Sequence, residues 1–511
     1  MRYTLALTAH AYNALMMHLL RDRNREQMAI ALCGVNRLRG ELRLLVRETI
    51  LLPPEAFVCQ TAHRIELKRD VEQTLHRRAY QQGLVQVDWH SHPKSNSAVA
   101  FSRTDDAYEL ALASYLADRM DGVPFGSVVV NDHSVRARLW ITRHAQGQPP
   151  RKGRALISEP YPIEALRVDN LKQIPAHDRQ SILTYVSPIH DRQVRAFGQE
   201  LQRRLGNLTI GIVGLGGLGG ALVGHLARLG VRRWVLVDSD HVEISNINRL
   251  TTATVRDAQR HRPKVAVARR AIKRVHPRAY VRALQCSLYA PQALQALKAC
   301  DLLIVATDNH ASRQMLNRLS VQYLIPLVHV GFNISIDSVI SEQDGQGTDD
   351  VAQPYHITDV SGEYAVPDPG RWCLQCAGFF DPQQASWEIA PTWQRKMLDK
   401  SGYVKDTPAP AVGHLDGLIA ALAAAEIHNL IYPYKPLQRY LVYDALRSEL
   451  VPLKVTHSEG CLVCDAKRGV FGLGDLEPLP DYGRQPSIPK WGEFSGTTAI
   501  KDAAKQQIIV T

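Results

Sequence analysis

Cysteine is scarce in this sequence, with eight residues among 511. A secreted scaffold held together by disulfides needs a far denser framework, so that class is excluded. Long apolar runs are also lacking: the best candidate, residues 415–431, contains Asp416 and Glu426 and predicts a buried helix instead of a membrane span. Polar residues interrupt the apolar start of the chain, which argues against a signal peptide. We therefore expect a cytoplasmic protein that has no membrane partner.

Blocks of like charge and internal repeats are missing as well. The sequence has 61 basic and 50 acidic residues, a net charge of +11, but these are spread along the chain. Net charge without a basic block is weak ground for nucleic-acid binding, so we expect no specific nucleic-acid partner. Hydrophobic residues at 45% and charged residues at 22% are ordinary globular values, which excludes a disordered chain.

The patterns along the chain predict about three folding units, as the length does. Residues 1–145 alternate helical and strand patterns. A run rich in Gly, Pro and basic residues then opens a linker predicted over residues 146–188. Short apolar strands alternate with helices over residues 189–470, which predicts a doubly wound α/β sheet. Residues 471–511 are rich in Pro and Gly and are predicted to form a loosely packed tail.

A candidate metal site lies in the first unit. His90 and His92 end an apparent strand and alternate to the same side, so both imidazoles can face one metal. Asp105 would complete a set of three ligands with an open fourth position, which predicts a catalytic zinc. Glu26 is the candidate general base, and Ser102 is the candidate donor to an oxyanion. The alternative is that Ser102 and Asp105 form only a helix-capping box.

Glu26, His90-x-His92-Pro93 and Ser102-x-x-Asp105 together resemble the JAMM metalloprotease motif of deubiquitinases and their bacterial relatives. The resemblance covers residues 1–145 and implies an α/β domain like that of cytidine deaminases. It also implies hydrolysis after the C-terminal glycine of a ubiquitin-like protein. The gap between His92 and Ser102 is about two residues longer than in the best-known eukaryotic members, and a loop tolerates such an insertion.

A candidate nucleotide site opens the next unit. Gly214-Leu-Gly216-Gly-Leu-Gly219 follows an apolar strand and begins a helix, as a turn that cradles phosphate must. Asp238 ends the second strand and is a candidate ligand for a ribose hydroxyl. Taken alone, this pattern fits an NAD-dependent oxidoreductase equally well.

The residues that follow resemble a different family. Asp238-x-Asp240 and Asn246-x-Asn248-Arg249 are similar to the signature of the ubiquitin-activating-enzyme family, which includes the adenylyltransferases of sulfur-carrier proteins. The resemblance covers about residues 189–464 and implies ATP as substrate. Leu250 departs from the family pattern, in which a glutamine tends to follow the arginine.

The same resemblance assigns roles to three more residues. Lys264 stands where the family places a lysine on the triphosphate, and Asp308 matches the aspartate that holds Mg²⁺. Arg192 matches an arginine that reaches the nucleotide of a dimer partner, which implies a homodimer. Each charge alone could be an ordinary surface residue. Together they suit the chemistry, because a carboxylate attacking the α-phosphate brings two anions together and needs positive charge nearby.

Two C-x-x-C pairs fit the same family. Cys373, Cys376, Cys461 and Cys464 can supply four thiolates to a tetrahedral zinc, and closed coordination predicts a structural site. A redox disulfide is the weaker alternative.

A nucleophilic cysteine is missing where activating enzymes carry one. Residues 377–460 contain none, and an ungapped comparison with the family places that position at Asp406 or Thr407. The reaction could stop at the acyl-adenylate, a hydroxyl such as that of Thr407 could form an oxyester, or Cys286 or Cys300 could be recruited. We favour the first alternative.

The combined hypothesis is a bifunctional bacterial enzyme with ATP, Mg²⁺, one catalytic zinc and one structural zinc. It would adenylate the C-terminal glycine of a ubiquitin-like protein and also process or deconjugate that protein. A conjugating-enzyme-like protein is a possible further partner. Proteins that resemble this pairing belong to conjugation systems linked to phage defence or to sulfur transfer. The alternatives are a sulfur-carrier adenylyltransferase of cofactor biosynthesis, an NAD-dependent oxidoreductase, and a non-catalytic scaffold that binds ubiquitin-like proteins.

Overall fold

The structure is a computed structural model that describes residues 1–95, 97–119, 123–144, 156–169, 171–176, 187–338, 355–390 and 410–480. The described residues up to 176 carry one sheet and form the first domain, and the described residues from 187 to 470 carry a second sheet and form the second domain. None of the described helices is both long enough and apolar enough to cross a bilayer.

The first domain is built on a nine-stranded mixed sheet with helices packed against it. The strands are β1 (Arg2–Leu7), β2 (Met28–Leu38), β3 (Glu41–Leu51), β4 (Phe57–Gln60), β5 (Ile65–Leu67), β6 (Val85–Ser91), β7 (Phe125–Val130), β8 (Val135–His144), β9 (Leu156–Pro162), β10 (Ala165–Val168) and β11 (Lys172–Pro175). The helices are α1 (Ala9–Leu19), α2 (Arg69–Gln82) and α3 (Arg103–Arg119), with a 3-10 turn at Pro54–Ala56.

The strand order of this sheet is β11-β10-β1-β3-β2-β6-β7-β8-β9, while β4 and β5 form a separate hairpin. β2 and β6 lie in the middle and are apolar and buried over most of their length, as strands covered on both faces are. They run antiparallel, and Met28 pairs with His90. This register brings the segment before β2 to the end of β6.

The predicted linker is wrong for residues 156–176. These residues form β9, which pairs with β8, and β10, which pairs with β1 at the start of the chain; β11 then pairs with β10. The pattern concealed this because β10 has only four residues and finds its partner about 160 residues away. Pro188, the last residue of the predicted linker, begins the 3-10 turn Pro188–His190, and residues 146–155 and 177–186 lie outside the described residues.

The second domain contains the predicted doubly wound sheet. Its strands are β12 (Thr209–Val213), β13 (Arg233–Val237), β14 (Tyr280–Leu284), β15 (Leu302–Val305), β16 (Leu327–Ser338), β17 (Tyr355–Ala365), β18 (Tyr440–Asp444) and β19 (Glu449–Pro452). Its helices are α4 (Asp191–Asn207), α5 (Gly217–Leu229), α6 (Val255–Gln259), α7 (Lys264–Val275), α8 (Pro291–Leu297), α9 (His310–Tyr323), α10 (Pro382–Glu388) and α11 (Gly413–Ile431), with 3-10 turns at Pro188–His190 and Ile244–Asn246.

The strand order β14-β13-β12-β15-β16-β17-β18-β19 is parallel from β14 to β16 and antiparallel beyond. The order reverses direction between β12 and β15. A crevice opens at the carboxyl ends of the strands at such a point, and ligands of open α/β sheets bind there.

The first domain packs against the opposite, amino edge of that sheet. Asn36 near the end of β2 donates to the backbone oxygen of Lys298 at 3.3 Å. Arg167 of β10 forms a buried ion pair with Asp301, the residue immediately before β15. The contact therefore lies at the far end of β2 from Met28 and at the far end of β12 and β15 from the switch point.

Residues 471–477, here called the crossing segment, run between the two domains. Gly474 forms a parallel bridge with Val35 of the first domain, and Gln322 of the second donates to the backbone oxygen of Gly474 at 2.8 Å. A Cβ atom on Gly474 would lie 2.0 Å from the backbone oxygen of Val35, so only glycine fits. The prediction of a loose tail is therefore wrong for its first residues, whose partners come from both domains.

Candidate functional sites

The two histidines and the aspartate of the first motif converge at the end of β6. His90 Nε2 lies 3.5 Å from Asp105 Oδ1, and His92 Nε2 lies 3.5 Å from Asp105 Oδ2. The three ligand atoms lie within 4.8 Å of one another. Two ligands on a tetrahedral zinc are separated by roughly 3.4 Å, given metal–ligand distances of about 2.1 Å.

The donor set fits a zinc ion. His90 Nε2 is buried and has no hydrogen-bond partner among the described residues, although a neutral polar atom normally finds one. A metal at the centre of the three side chains would satisfy that nitrogen. His90, His92 and Asp105 would then hold zinc through three ligands and leave a fourth position open.

Glu26 is held beside this cluster by its backbone. Its N–H donates to Thr61 O at 2.8 Å, and its carbonyl accepts from Gln60 Nε2 at 2.9 Å, so the hairpin of β4 and β5 fixes its position. Gln27 then pairs with Ser91 at the end of β6. Burial raises the pKa of the Glu26 carboxyl, while His90 and His92 act in the opposite direction.

Ser102 and Asp105 form the capping box that was the alternative interpretation of their spacing. Asp105 N–H donates to Ser102 Oγ at 3.1 Å, and Ser102 N–H donates to Asp105 Oδ2 at 2.6 Å. The same carboxylate faces both histidines. The two interpretations are therefore compatible, because the cap at the start of α3 orients the carboxylate toward the imidazoles.

Arg138 joins α3 to the sheet through ion pairs. No sequence motif predicted a role for this residue. From β8 it pairs with Asp106 at 2.5 Å and with Glu109 at 2.7 Å, one turn beyond Asp105. Trp140 donates to the same Glu109 oxygen at 2.7 Å. These contacts set the height of α3 over the sheet and thereby the position of Asp105.

The glycine-rich turn lies at the switch point, between β12 and α5. Gly214 has φ +88°, and a Cβ atom there would lie 2.5 Å from the backbone oxygen of Ala306. At Gly219 a Cβ atom would lie 2.0 Å from the oxygen of Gly214, so the turn and the helix touch backbone to backbone. Gly216 is the N-cap residue of α5. The first N–H groups of α5 point out of the helix end and can bind an anion.

Asp238 supports this turn. Its Oδ2 accepts from Leu215 N–H at 2.7 Å, and its Oδ1 accepts from Asp240 N–H at 2.8 Å. Burial raises the pKa of Asp238, while these bonds and Lys264 lower it. Asp238 thus joins the glycine-rich turn to the loop after β13. It has this structural role in addition to its predicted role as a ligand for a ribose hydroxyl.

A cavity of about 550 Å³ opens beside that loop. Asp240 and Lys264 line it and form an ion pair of 2.9 Å, and Lys264 begins α7. The remaining lining residues are Ser239, His241, Glu243, Asn246 and His261. A volume of this size is sufficient for a nucleotide-sized ligand.

Asn248 and Arg249 lie against the start of α11. Asn248 Nδ2 donates to Ala411 O at 3.1 Å, and Arg249 Nη1 donates to Ser245 O at 3.1 Å. Leu250 is buried with Val242 in a small apolar cluster. Leucine, where the family tends to have glutamine, therefore packs in the protein interior at position 250.

Asp308 and Arg192 occupy different places. Asp308 follows Thr307, whose methyl group would lie 2.8 Å from a Cβ atom on Gly214, so Asp308 is close to the glycine-rich turn. Arg192 is exposed at the start of α4, and its neighbour Gln193 donates to Arg228 O in the last turn of α5. That end of α5 lies roughly 18 Å from the turn. Arg192 is thus not brought to the site of its own chain.

The four cysteines of the two C-x-x-C pairs converge. The Sγ–Sγ distances are 3.9 Å for Cys373 and Cys376, 3.8 Å for Cys373 and Cys461, and 3.5 Å for Cys376 and Cys464. Zinc–sulfur bonds of about 2.3 Å place two ligands of a tetrahedron roughly 3.8 Å apart. The set fits a structural zinc.

The residues considered as nucleophiles for a covalent intermediate differ in burial and in whether the structure describes them. Cys300 is fully buried at the amino edge of the sheet, and burial raises the pKa of its thiol, so it does not suit a nucleophile at the nucleotide site. Cys286 is half-buried beyond β14. Asp406 and Thr407 lie outside the described residues.

Comparison with known proteins identifies both parts of the chain. The model of the ThiF family matches residues 190–463, and the model of prokaryotic homologs of the JAB domain matches residues 8–142. The chain belongs to the ThiF family and carries a JAB domain at its amino-terminal side. The two predicted resemblances are confirmed, and with them the combination of an adenylyltransferase domain and a metalloprotease-type domain.

Several relatives are named adenylyltransferases. The sulfur carrier protein adenylyltransferase of Thermus thermophilus is 29% identical over 308 residues, which cover 60% of this chain and 96% of that protein. The molybdopterin-synthase adenylyltransferase of Escherichia coli is 28% identical over 284 residues, covering 54% of this chain and 95% of that protein. The adenylyltransferase and sulfurtransferase MOCS3 of Drosophila virilis is 35% identical over 284 residues, 55% of this chain and 54% of that protein.

Proposed function

We propose that the second domain adenylates the C-terminal glycine carboxylate of a ubiquitin-like protein, with ATP as co-substrate. The observation that carries this proposal is the cavity beside the loop after β13, where Lys264 pairs with Asp240 and Asp238 joins that loop to the glycine-rich turn. The names of the relatives support adenylation, and two of them name a sulfur carrier or molybdopterin synthase.

The charges of the site suit this reaction. The attacking carboxylate and the α-phosphate are both anionic, so the barrier falls when fixed positive charges lie nearby. Lys264 would leave Asp240 for the triphosphate, and Arg249 would supply a second positive charge. Asp308 would hold Mg²⁺, which neutralises the pyrophosphate leaving group. The products are an acyl-adenylate and pyrophosphate.

Arg192 would act on the nucleotide of a second copy. It is exposed and distant from the turn of its own chain, which leaves it available to another protomer. The proposed assembly is therefore a homodimer in which each active site receives one arginine from its partner.

The first domain would hydrolyse the bond that follows the same C-terminal glycine. Zinc held by His90, His92 and Asp105 would supply Lewis acidity toward the attacking water and the scissile carbonyl. Glu26 would take the proton of that water and deliver it to the leaving amine. The Ser102 hydroxyl, exposed at the rim, would donate to the developing oxyanion.

The two centres cannot share one bound tail. The metal site lies at the Met28 end of β2, roughly 27 Å along the strand from Asn36 at the domain contact. The nucleotide site is also at the end of its sheet away from that contact. The carrier must therefore leave one centre before it enters the other, and the fusion would act by raising local concentration.

The reaction would end at the adenylate or pass to another protein, either a sulfur donor or a conjugating-enzyme-like protein. This proposal follows from the positions of Cys286 and Cys300, neither of which lines the described cavity.

ATP–pyrophosphate exchange tests the adenylation proposal. The full chain should exchange labelled pyrophosphate into ATP only when a ubiquitin-like protein ending in glycine is present. The same carrier with its last glycine removed is the matched control. NAD binding without exchange would favour an oxidoreductase and refute the proposal.

Cleavage of a carrier fused to a reporter tests the first domain. Release of the reporter should require zinc and be lost in His90→Ala and Glu26→Gln. Release that survives both substitutions would refute the metal assignment. Binding of the carrier with neither activity would indicate a scaffold.

A further inference from the structure

A buried carboxylate without a partner lies at the nucleotide site. Asp416, in the first turn of α11, is 1% exposed. Neither of its carboxylate oxygens has a hydrogen-bond partner among the described residues. Burying an ionised group in this way is costly, so the position calls for a physical explanation.

This carboxylate lies against the amino end of α5. A Cβ atom on Gly217, the first residue of α5, would lie 1.8 Å from Asp416 Oδ2. The same helix end carries the N–H groups that face the glycine-rich turn. The ionised carboxylate of Asp416 thus lies at the edge of a site that is suited to binding an anion.

The start of α11 is a fixed wall of this site. A Cβ atom on Gly413 would lie 2.6 Å from the backbone oxygen of Asn248 and 3.1 Å from Arg249 Cα. Close backbone packing of this kind leaves α11 little freedom to withdraw Asp416 when a ligand enters. A change in the charge of the side chain would remove the conflict without any movement of α11.

Arg249 is the charged group that acts on Asp416 among the described residues. Burial raises the pKa of Asp416 to about 6, and the guanidinium of Arg249 opposes this shift. The first turn of α5 contains only Gly and Leu. On the other elements packed against α11, Arg204 of α4 faces the backbone of Ile431 and Glu363 of β17 faces His329.

We propose that the buried carboxylate of Asp416, at the edge of the nucleotide site, takes up one proton from solvent when the triphosphate enters. The inference rests on the proposed adenylation function. Proton uptake removes the repulsion between the carboxylate and the phosphates.

The consequence is an ATP affinity that falls as the pH rises. A group that must be neutral in the complex, and that titrates near pH 6 when free, lowers the affinity about 30-fold between pH 7 and pH 8.5. The magnesium complex of ATP changes its own charge little over this interval. The dependence of the ATP affinity on pH therefore reports a protonation of the protein and not of the nucleotide.

Calorimetry of the full chain with Mg²⁺-ATP tests the proposal. At pH 8, titrations in two buffers of different ionisation enthalpy should show uptake of close to one proton per ATP bound. Asp416→Asn should show no uptake and bind ATP up to about 100-fold more tightly at pH 8, with little dependence on pH. The matched control is Glu426→Gln, a buried carboxylate on the same helix that already has partners, and it should retain the uptake.

The outcomes separate the inference from the function on which it rests. ATP binding by the wild-type protein without proton uptake refutes the inference alone. Weaker ATP binding by Asp416→Asn also refutes it, since the charge would then assist binding. No ATP binding by the wild-type protein refutes both. The wild-type measurement decides the matter even if the variant fails to fold, and a folded variant should melt at a higher temperature.

Discussion

Replacing Asp475 by asparagine should loosen the contact between the two domains. Asp475 Oδ1 accepts from Lys298 Nζ at 2.5 Å and from Tyr323 OH at 3.0 Å, and Oδ2 accepts from Arg37 N–H at 2.6 Å. The crossing segment thus uses one carboxylate to bind both domains. The side chains of Lys298 and Asp475 are 6% and 18% exposed.

The size of the free-energy loss depends on the charge of Lys298, which remains buried without its partner. Removing one partner of a buried ion pair costs about 3–5 kcal/mol, because the remaining charge is buried without compensation. Asparagine keeps an oxygen and an amide for the neutral contacts, and position 475 is partly exposed. We therefore expect a loss of about 2–3 kcal/mol, which is a change of roughly 30- to 150-fold in the equilibrium between docked and undocked domains.

Hydrogen exchange and denaturation would measure this loss. The backbone N–H groups of residues 472–475 should exchange faster by that factor, and the midpoint of unfolding in urea should fall. Glu66→Gln, which breaks an exposed pair with Arg64, should change neither quantity. A loss below about 0.5 kcal/mol, or no coupling between Asp475→Asn and Lys298→Met in a double-mutant cycle, would refute the reasoning.

Three further outcomes are expected. Arg138→Met should weaken zinc binding at the histidine site about 10-fold or more, because α3, which carries Asp105, loses its ion pairs to β8, while the cysteine zinc remains; competition with a chelator would measure this, and equal affinity would contradict it. Lys264→Ala should slow pyrophosphate exchange about 100-fold, and an unchanged rate would exclude the lysine from the transition state. Gly214→Ala should lower the melting temperature and abolish exchange, because φ is +88° and the backbone oxygen of Ala306 is 2.5 Å from the new atom. If Gly214→Ala melts at the same temperature as the wild-type protein, the turn accommodates the added methyl group and the prediction is wrong.

Parts of the molecule that depend on short spacing could be predicted from the sequence. His90 and His92 alternate on one strand end, so their common direction is a property of β geometry. The glycine-rich turn could be predicted for the same reason, since a strand, a turn and a helix follow one another without a gap. The structure places these residues as expected, and the roles of the individual side chains stay proposals.

Other parts could not be predicted because their partners are distant in the chain. β10 is too short to stand out, and it becomes a strand only by pairing with β1. The crossing segment contains Gly472 and Gly474 because it fits closely between two domains, and glycines are equally common in a loose tail. Ser102 and Asp105 left two interpretations open, and only the position of β6 showed that the two are compatible.

The sequence by itself determined the two families, the types of side chain at each centre and the absence of a cysteine between the C-x-x-C pairs. Only the tertiary structure decided which groups lie against one another. Asp416 read as an interruption of an apolar helix, yet it faces the anion-binding end of α5. The physical reason is that a carboxylate's cost and use depend on its neighbours in space, which for Asp416 are Gly217 and Arg249.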